Sequence, residues 1–244
     1  MPHADRPRLL VLWSPPRCRS TAFLRMMRER GDFTVVHEPL SHVHDFGAAD
    51  VHGTRCTSGE AVLEALDSLS RRTPVFVKDT TDFPYPEVHA AEWFLRSATH
   101  TFLIREPRAA IASHYRLNPS LGRDEIGFAR VRRIHDAVTE TGARPVVVDA
   151  DELVDRPHAV VRAYCDSVGI PFLPAALSWP ATTLPEWRRT LRWHTDVADS
   201  TGFTRGEGTH ASITDHPVLG PHYRYHLPHY LWLRERRMRV SPGG

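Results

Sequence analysis

The sequence contains a single lysine, Lys78, although 31 of its 244 residues are basic. The remaining basic residues are arginines, so the position of Lys78 draws attention. Cysteine is scarce too. Cys18, Cys56 and Cys165 are odd in number and far apart, which excludes a disulfide framework. None forms a CxxC pair, which removes the usual signature of a structural zinc site. No run approaches the roughly 20 apolar residues of a membrane span. The apolar stretch near the start is too short for a secretory core and runs straight into a charged motif. A soluble cytoplasmic protein without a membrane partner is expected. Net charge is only +2, with no basic stripe, so no nucleic-acid partner is expected either. At 41% hydrophobic and 25% charged, the chain is globular, and its length suits one α/β domain spanning 1–244.

Apolar runs alternate with helical spacing. Strands are predicted at Leu9 to Trp13, Phe33 to Val36, Val75 to Val77, His100 to Ile104 and Pro145 to Val148. Helices are predicted at Ser20 to Arg30, from Ser58 to Leu69, at Val88 to Leu95, from Pro107 to Leu117, at Arg123 to Thr141, at Ala159 to Val168 and at His229 to Arg236. This alternation implies a central, mostly parallel sheet covered by helices on both faces. Ligands in such sheets sit at the carboxyl ends of the strands. The region from Leu177 onward is less clear, and the Ser-Pro-Gly-Gly end is expected to be disordered.

The loop Trp13-Ser-Pro-Pro-Arg-Cys-Arg-Ser-Thr21 joins the first strand to the first helix. A helix start offers unpaired N–H groups and a positive dipole end, which suit an anion. Ser20 and Thr21 add hydroxyls, and Arg17 and Arg19 add charge with a planar donor fork. The loop has no glycine and no GK[ST] ending, so it is not a Walker A loop, which counts against an ATP or GTP hydrolase. Further on, Arg105 ends a strand and Ser113 lies about two turns into the next helix. Such a pair can converge on a phosphate monoester.

In order and spacing, WSPPRCRST, HEPLS, VFVKD and LIREPRAAIASHY resemble the sulfotransferase superfamily, most of all its small bacterial members. VVVDADELVDRP, with the helix that follows, resembles the family's later strand and helix, and the resemblance covers about residues 8 to 172. It implies a P-loop NTPase-like three-layer fold and transfer of a sulfuryl group from 3′-phosphoadenosine 5′-phosphosulfate. The acceptor would be a hydroxyl or amine of a small molecule, in the manner of secondary metabolism. The family's first loop binds the donor's 5′-phosphosulfate, which here corresponds to Arg17, Cys18, Arg19, Ser20 and Thr21. The family's arginine and serine for the 3′-phosphate correspond to Arg105 and Ser113. Arg17 stands where many relatives have lysine, and Arg19 where they have glycine. Thr204-Arg205-Gly206-Glu207-Gly208 stands near the place of the segment that closes over the nucleotide in relatives.

A sulfuryl group carries less negative charge than a phosphoryl group, so cationic side chains and helix N–H groups can suffice without a metal. Arg17 is the first choice for the leaving side, and Lys78 is a second cation within reach. The family's general base is a histidine or a glutamate. Glu38 fits the glutamate version, with His37 and Asp79 as competitors. His42 and His44 read as loop histidines. Trp93 and Phe94 read as core. Trp179, Trp187 and Trp193 lie where relatives vary, either lining the acceptor pocket or packing. The acceptor pocket is expected from loops within 40–57, 80–87 and 174–225. Two rivals stand beside this reading, a small-molecule kinase using ATP and a non-catalytic nucleotide-binding protein on the same fold. The oligomeric state is open.

Overall fold

The computed structural model describes residues 6–187, 189–205 and 213–240. Five strands form an all-parallel sheet: β1 (Leu9–Ser14), β2 (Thr34–His37), β5 (Val75–Thr80), β6 (Thr99–Ile104) and β7 (Val146–Asp149). Their order across the sheet is β2-β5-β1-β6-β7. A separate hairpin is made by β3 (Ala49–Val51) and β4 (Thr54–Cys56). The helices are α1 (Ser20–Glu29), α2 (Pro39–Phe46), α3 (Gly59–Ser70), α4 (Pro86–Ala90), α5 (Glu92–Ser97) and α6 (Pro107–Leu117). They continue with α7 (Phe128–Glu140), α8 (Ala150–Asp155), α9 (Pro157–Val168), α10 (Thr195–Ala198) and α11 (Leu219–Glu235).

Residues of β1 alternate between two cores, as the strand period requires. Leu9, Val11 and Trp13 face one core, with Val62, Leu66, Val131 and Leu233 from α3, α7 and α11. Leu10 and Leu12 face the other, with Phe23, Met27, Val161 and Tyr164 from α1 and α9. Both faces of β1 are thus covered, and the whole strand is buried. This is the parallel sheet with helices on both faces that the alternating pattern implies, in three layers. It puts the carboxyl ends of all five strands on one edge.

Several elements differ from the sequence reading. Residues 40–57 hold a helix and a hairpin as well as loops, so His42 and His44 stand on α2. The Asp79 carboxylate accepts the backbone N–H groups of Leu40 (2.7 Å) and Ser41 (3.2 Å), capping α2 from a distant strand. Strand β5 runs on to Thr80, so Lys78 lies inside the strand. The expected helix from Val88 to Leu95 is two short ones that meet at Ala91. Trp93 is exposed, whereas Phe94 is core. The last helix starts well before His229, and Pro228 lies within it.

The expected helix from Arg123 to Thr141 is broken at Gly127, which has φ +84°. A Cβ there would sit 2.6 Å from Thr81 Oγ1 and 2.8 Å from the Thr81 carbonyl oxygen. Glycine alone tolerates both the left-handed backbone and the close approach. Gly127→Ala should therefore lower stability by about 2–4 kcal/mol in urea unfolding, through strain and overpacking together. A change below about 0.5 kcal/mol, the range of ordinary surface substitutions, would contradict this reading of the turn.

Candidate functional site

The central strand ends at Ser14, and the chain turns through Pro15 to Arg19 into α1. Arg17 (φ 64°) and Arg19 (φ 66°) both adopt the left-handed conformation. Glycine takes that conformation without a Cβ penalty, and an arginine there carries strain. Ser20 and Thr21 follow, buried at the start of α1.

A cavity of about 620 Å³ opens over this loop. Arg17, Arg19, Ser20, Thr21, Glu38, Lys78, Arg105 and Ser113 all line it. Cys18 does not line it: its thiol is packed in the core, and burial pushes it up to about 12. Any contribution of Cys18 to a ligand is left to its backbone.

The arginines are held by specific contacts. Arg17 Nε donates to Ser113 Oγ at 3.0 Å, tying the loop to α6. Its Nη1 donates to the Trp193 carbonyl at 2.5 Å. Arg105 Nη1 donates to the Arg17 carbonyl at 3.2 Å. Asp151 lies 3.8 Å from Arg105 Nε and 3.6 Å from Arg19 Nη1. Arg105 Nε is nevertheless buried without a hydrogen-bond partner.

Opposite the loop stands a buried ion pair. The Glu38 backbone N–H donates to the Lys78 carbonyl at 2.7 Å, extending the β2–β5 ladder by one residue. Glu38 then leaves the sheet in a left-handed conformation, φ 48°, and Pro39 starts α2. The Lys78 ammonium meets Glu38 Oε1, and His37 Nε2 lies 3.5 Å from Oε2. Burial alone would raise the Glu38 carboxyl, but Lys78 and then His37 hold it below the usual carboxylate range. Burial drives His37 well below its ordinary value, and neither ring nitrogen has a hydrogen-bond partner. Asp79 is committed to structure. It accepts from Leu40, Ser41 and Thr80, and burial pushes it up to about 7 against these donors.

One wall falls within the expected 174–225 region and uses Trp193, one of the three tryptophans named there, together with His194, which the sequence reading missed. Between Pro185 and Ala198 the chain makes two 3-10 turns and α10. Trp193 and His194 from this stretch line the cavity, while Trp179 and Trp187 pack in the core. His194 Nδ1 meets Thr21 Oγ1 at 3.2 Å, and its Nε2 meets Thr190 Oγ1 at 3.1 Å. Burial lowers His194 to about 4, so the ring is neutral at pH 7. Phe203 and Thr204 also line the cavity. Gly206 to Gly208, the rest of the segment matched to the nucleotide-covering one, lie outside the described residues. His194 lies within the stretch from Leu177 onward, which carried no clear periodic signal.

The family model described as a sulfotransferase domain matches residues 8–236. The chain belongs to the sulfotransferase domain family. Two Arabidopsis thaliana proteins are similar in sequence, the branched-chain-amino-acid aminotransferase-like proteins 2 and 1. They are 27% and 26% identical over 79% and 81% of this chain. The matched stretch spans only 35% and 37% of their own lengths. Among solved structures, the sulfotransferase domain from the curacin biosynthetic pathway is similar at TM-score 0.41 and 15% identity, covering 70% of this chain and 77% of that one. The sulfotransferase domain from the Synechococcus PCC 7002 olefin synthase gives TM-score 0.40 at 17% identity, covering 100% and 92%. No helix among the described residues is long and apolar enough to cross a membrane.

The ion pair gives a pH-resolved test. Glu38 titrates below its unfolded value of 4.5, so its pairing stabilises fully above that pH and is lost as pH falls through the native value. Lys78→Met would strand a buried carboxylate and should cost about 3–5 kcal/mol at pH 7. In the variant Glu38 takes up a proton readily, so the deficit should shrink as the buffer is made acidic. Urea unfolding at several pH values checks this, and a deficit independent of pH would contradict the pairing.

Proposed function

We propose that this sulfotransferase-family chain moves a sulfuryl group from 3′-phosphoadenosine 5′-phosphosulfate to a hydroxyl or amine of a small-molecule acceptor. One observation carries the reading. A single cavity joins a helix-start anion cradle to a buried Glu38–Lys78 pair. Arg17, Arg19, Ser20 and Thr21 surround the place of the 5′-phosphosulfate. Arg105 and Ser113 serve the 3′-phosphate. Fit to a phosphate is supported by Arg105, whose buried Nε–H lacks an acceptor, since an unmet buried donor is costly and a phosphate oxygen would satisfy it.

The donor, when bound, supplies a sulfuryl group joined through oxygen to a phosphate. In the transfer the acceptor's oxygen or nitrogen forms the new bond to sulfur as the bridging S–O bond breaks. The electron pair stays with the phosphate oxygen, and the acceptor's proton goes to Glu38. Arg17 stabilises charge on the leaving side. An ammonium neighbour makes Glu38 a weak base at rest. An incoming sulfate oxygen competes with Glu38 for Lys78, and any weakening of that pair restores basicity at the step that needs it. His37 does not line the cavity, and Asp79 is occupied in capping α2, so Glu38 is the preferred base.

Glu38→Gln should reduce turnover about 100-fold or more while donor affinity stays within about twofold. Release of 3′-phosphoadenosine 5′-phosphate, measured with a panel of small alcohols, phenols and amines, checks it. Undiminished turnover would remove Glu38 from the mechanism. Magnesium-dependent use of ATP instead of the sulfated donor would favour a small-molecule kinase.

A further inference from the structure

The cavity is divided by charge. Arg17, Arg19 and Arg105 line it from the loop after β1 and the end of β6, while Glu38, Ser41, Asp45, Thr80 and Asp82 line it from the side of β2, α2 and β5. Asp82 Oδ1 is buried and has no hydrogen-bond partner. Burial pushes this carboxyl up to about 6; the Thr80 hydroxyl opposes the rise, and Glu38 and Asp45 add to it. No ion pair among the described residues involves Asp45 or Asp82.

The nearby cations are committed elsewhere. Lys78 is held by Glu38. Arg130 Nη1 donates to the main-chain oxygens of Asp82 and Asp124, both at 2.5 Å, and of Thr81 at 3.4 Å. After burial, the Glu38 charge acts most on Asp45 and raises it, and His42 and His44 from its own helix, then Arg192, oppose the rise. Three carboxyl groups therefore share one region of the wall with a single, already paired ammonium. A buried carboxylate oxygen without a donor is costly, and a ligand that brings a charged donor removes that cost. An anionic ligand would be repelled there.

We propose that the acceptor is a small hydroxylated amine, its ammonium group bound by Asp82 and Asp45 and its hydroxyl thereby delivered to Glu38. An ammonium has no lone pair to attack sulfur, so the hydroxyl is the nucleophile. The fate of the hydroxyl rests on the sulfuryl-transfer reading above. The ammonium subsite does not.

Three probes of one length separate charge from shape: 6-aminohexan-1-ol, its N-acetyl derivative and 6-hydroxyhexanoate. Each is titrated into the full chain by calorimetry, with and without saturating 3′-phosphoadenosine 5′-phosphate. The amine should bind about tenfold or more tighter than the acetamide, and the carboxylate most weakly, as expected for a charge-assisted contact. Asp82→Asn and Asp45→Asn should each cut that preference to about threefold or less. Asp82→Asn should leave nucleotide affinity unchanged and the melting temperature equal or higher, because it removes an unsatisfied carboxylate. Equal or weaker binding of the amine, no binding of any probe, or a preference that survives both substitutions together would overturn the subsite. Amine preference without any binding of the nucleotide would overturn the donor reading and leave the subsite standing.

Discussion

The buried contact between Lys78 and Glu38 organises this molecule's working end. A lysine almost fully removed from water needs a partner, because desolvating an unpaired ammonium costs several kcal/mol. Its partner can only be supplied if β2 lies beside β5 in the observed register, His37 opposite Lys78. The chain must then turn left-handed at Glu38, and α2 must start at once. Asp79, next to Lys78 in sequence, caps that start. One strand thus supplies both the charge that holds Glu38 and the acceptor that holds the helix behind it.

The electrostatics of the cavity follow from where the sheet ends. Arginines come from the loop after β1 and from the end of β6, and Asp151 beside them moderates their mutual repulsion. Carboxylates come from the end of β2, from α2 and from the loop after β5. Sulfuryl transfer needs such a division. In the proposed reaction the cationic side would hold two anionic groups of the donor, and the acidic side would take a proton. The central strand separates the two because β5 and β6 flank it on opposite sides.

Much of this was legible in the sequence, for physical reasons. Strands buried on both faces show as apolar runs, and charged residues at their ends mark the ligand edge. Hence the loop arginines, Lys78, Arg105 and Ser113 could all be named, and the cavity collects them. Three features were not legible. The helix after Glu38 is short and capped by Asp79, which is distant in sequence, so no local signal announces it. Cys18 sits between two cavity arginines, yet its side chain turns into the core, and spacing alone does not tell the directions of loop residues. His194 comes from an irregular stretch of 3-10 turns, where neither the helical nor the strand period applies, although its neighbour Trp193 could be named as a candidate for the pocket. The left-handed arginines at 17 and 19 add a further point. They reproduce with strained side-chain-bearing residues a loop shape for which glycine is the usual choice, and gain cationic side chains at the cavity in exchange.

The central claim is that the cationic part of the cavity reads a nucleotide by its 3′-phosphate. The direct measurement is calorimetric titration of the full chain with 3′-phosphoadenosine 5′-phosphate beside AMP and ATP. The account predicts that the 3′-phosphorylated nucleotide binds about 100-fold more tightly than AMP, and that Arg105→Ala removes most of that difference while leaving AMP binding nearly unchanged. Equal affinity for AMP, or preference for ATP with magnesium, would contradict it.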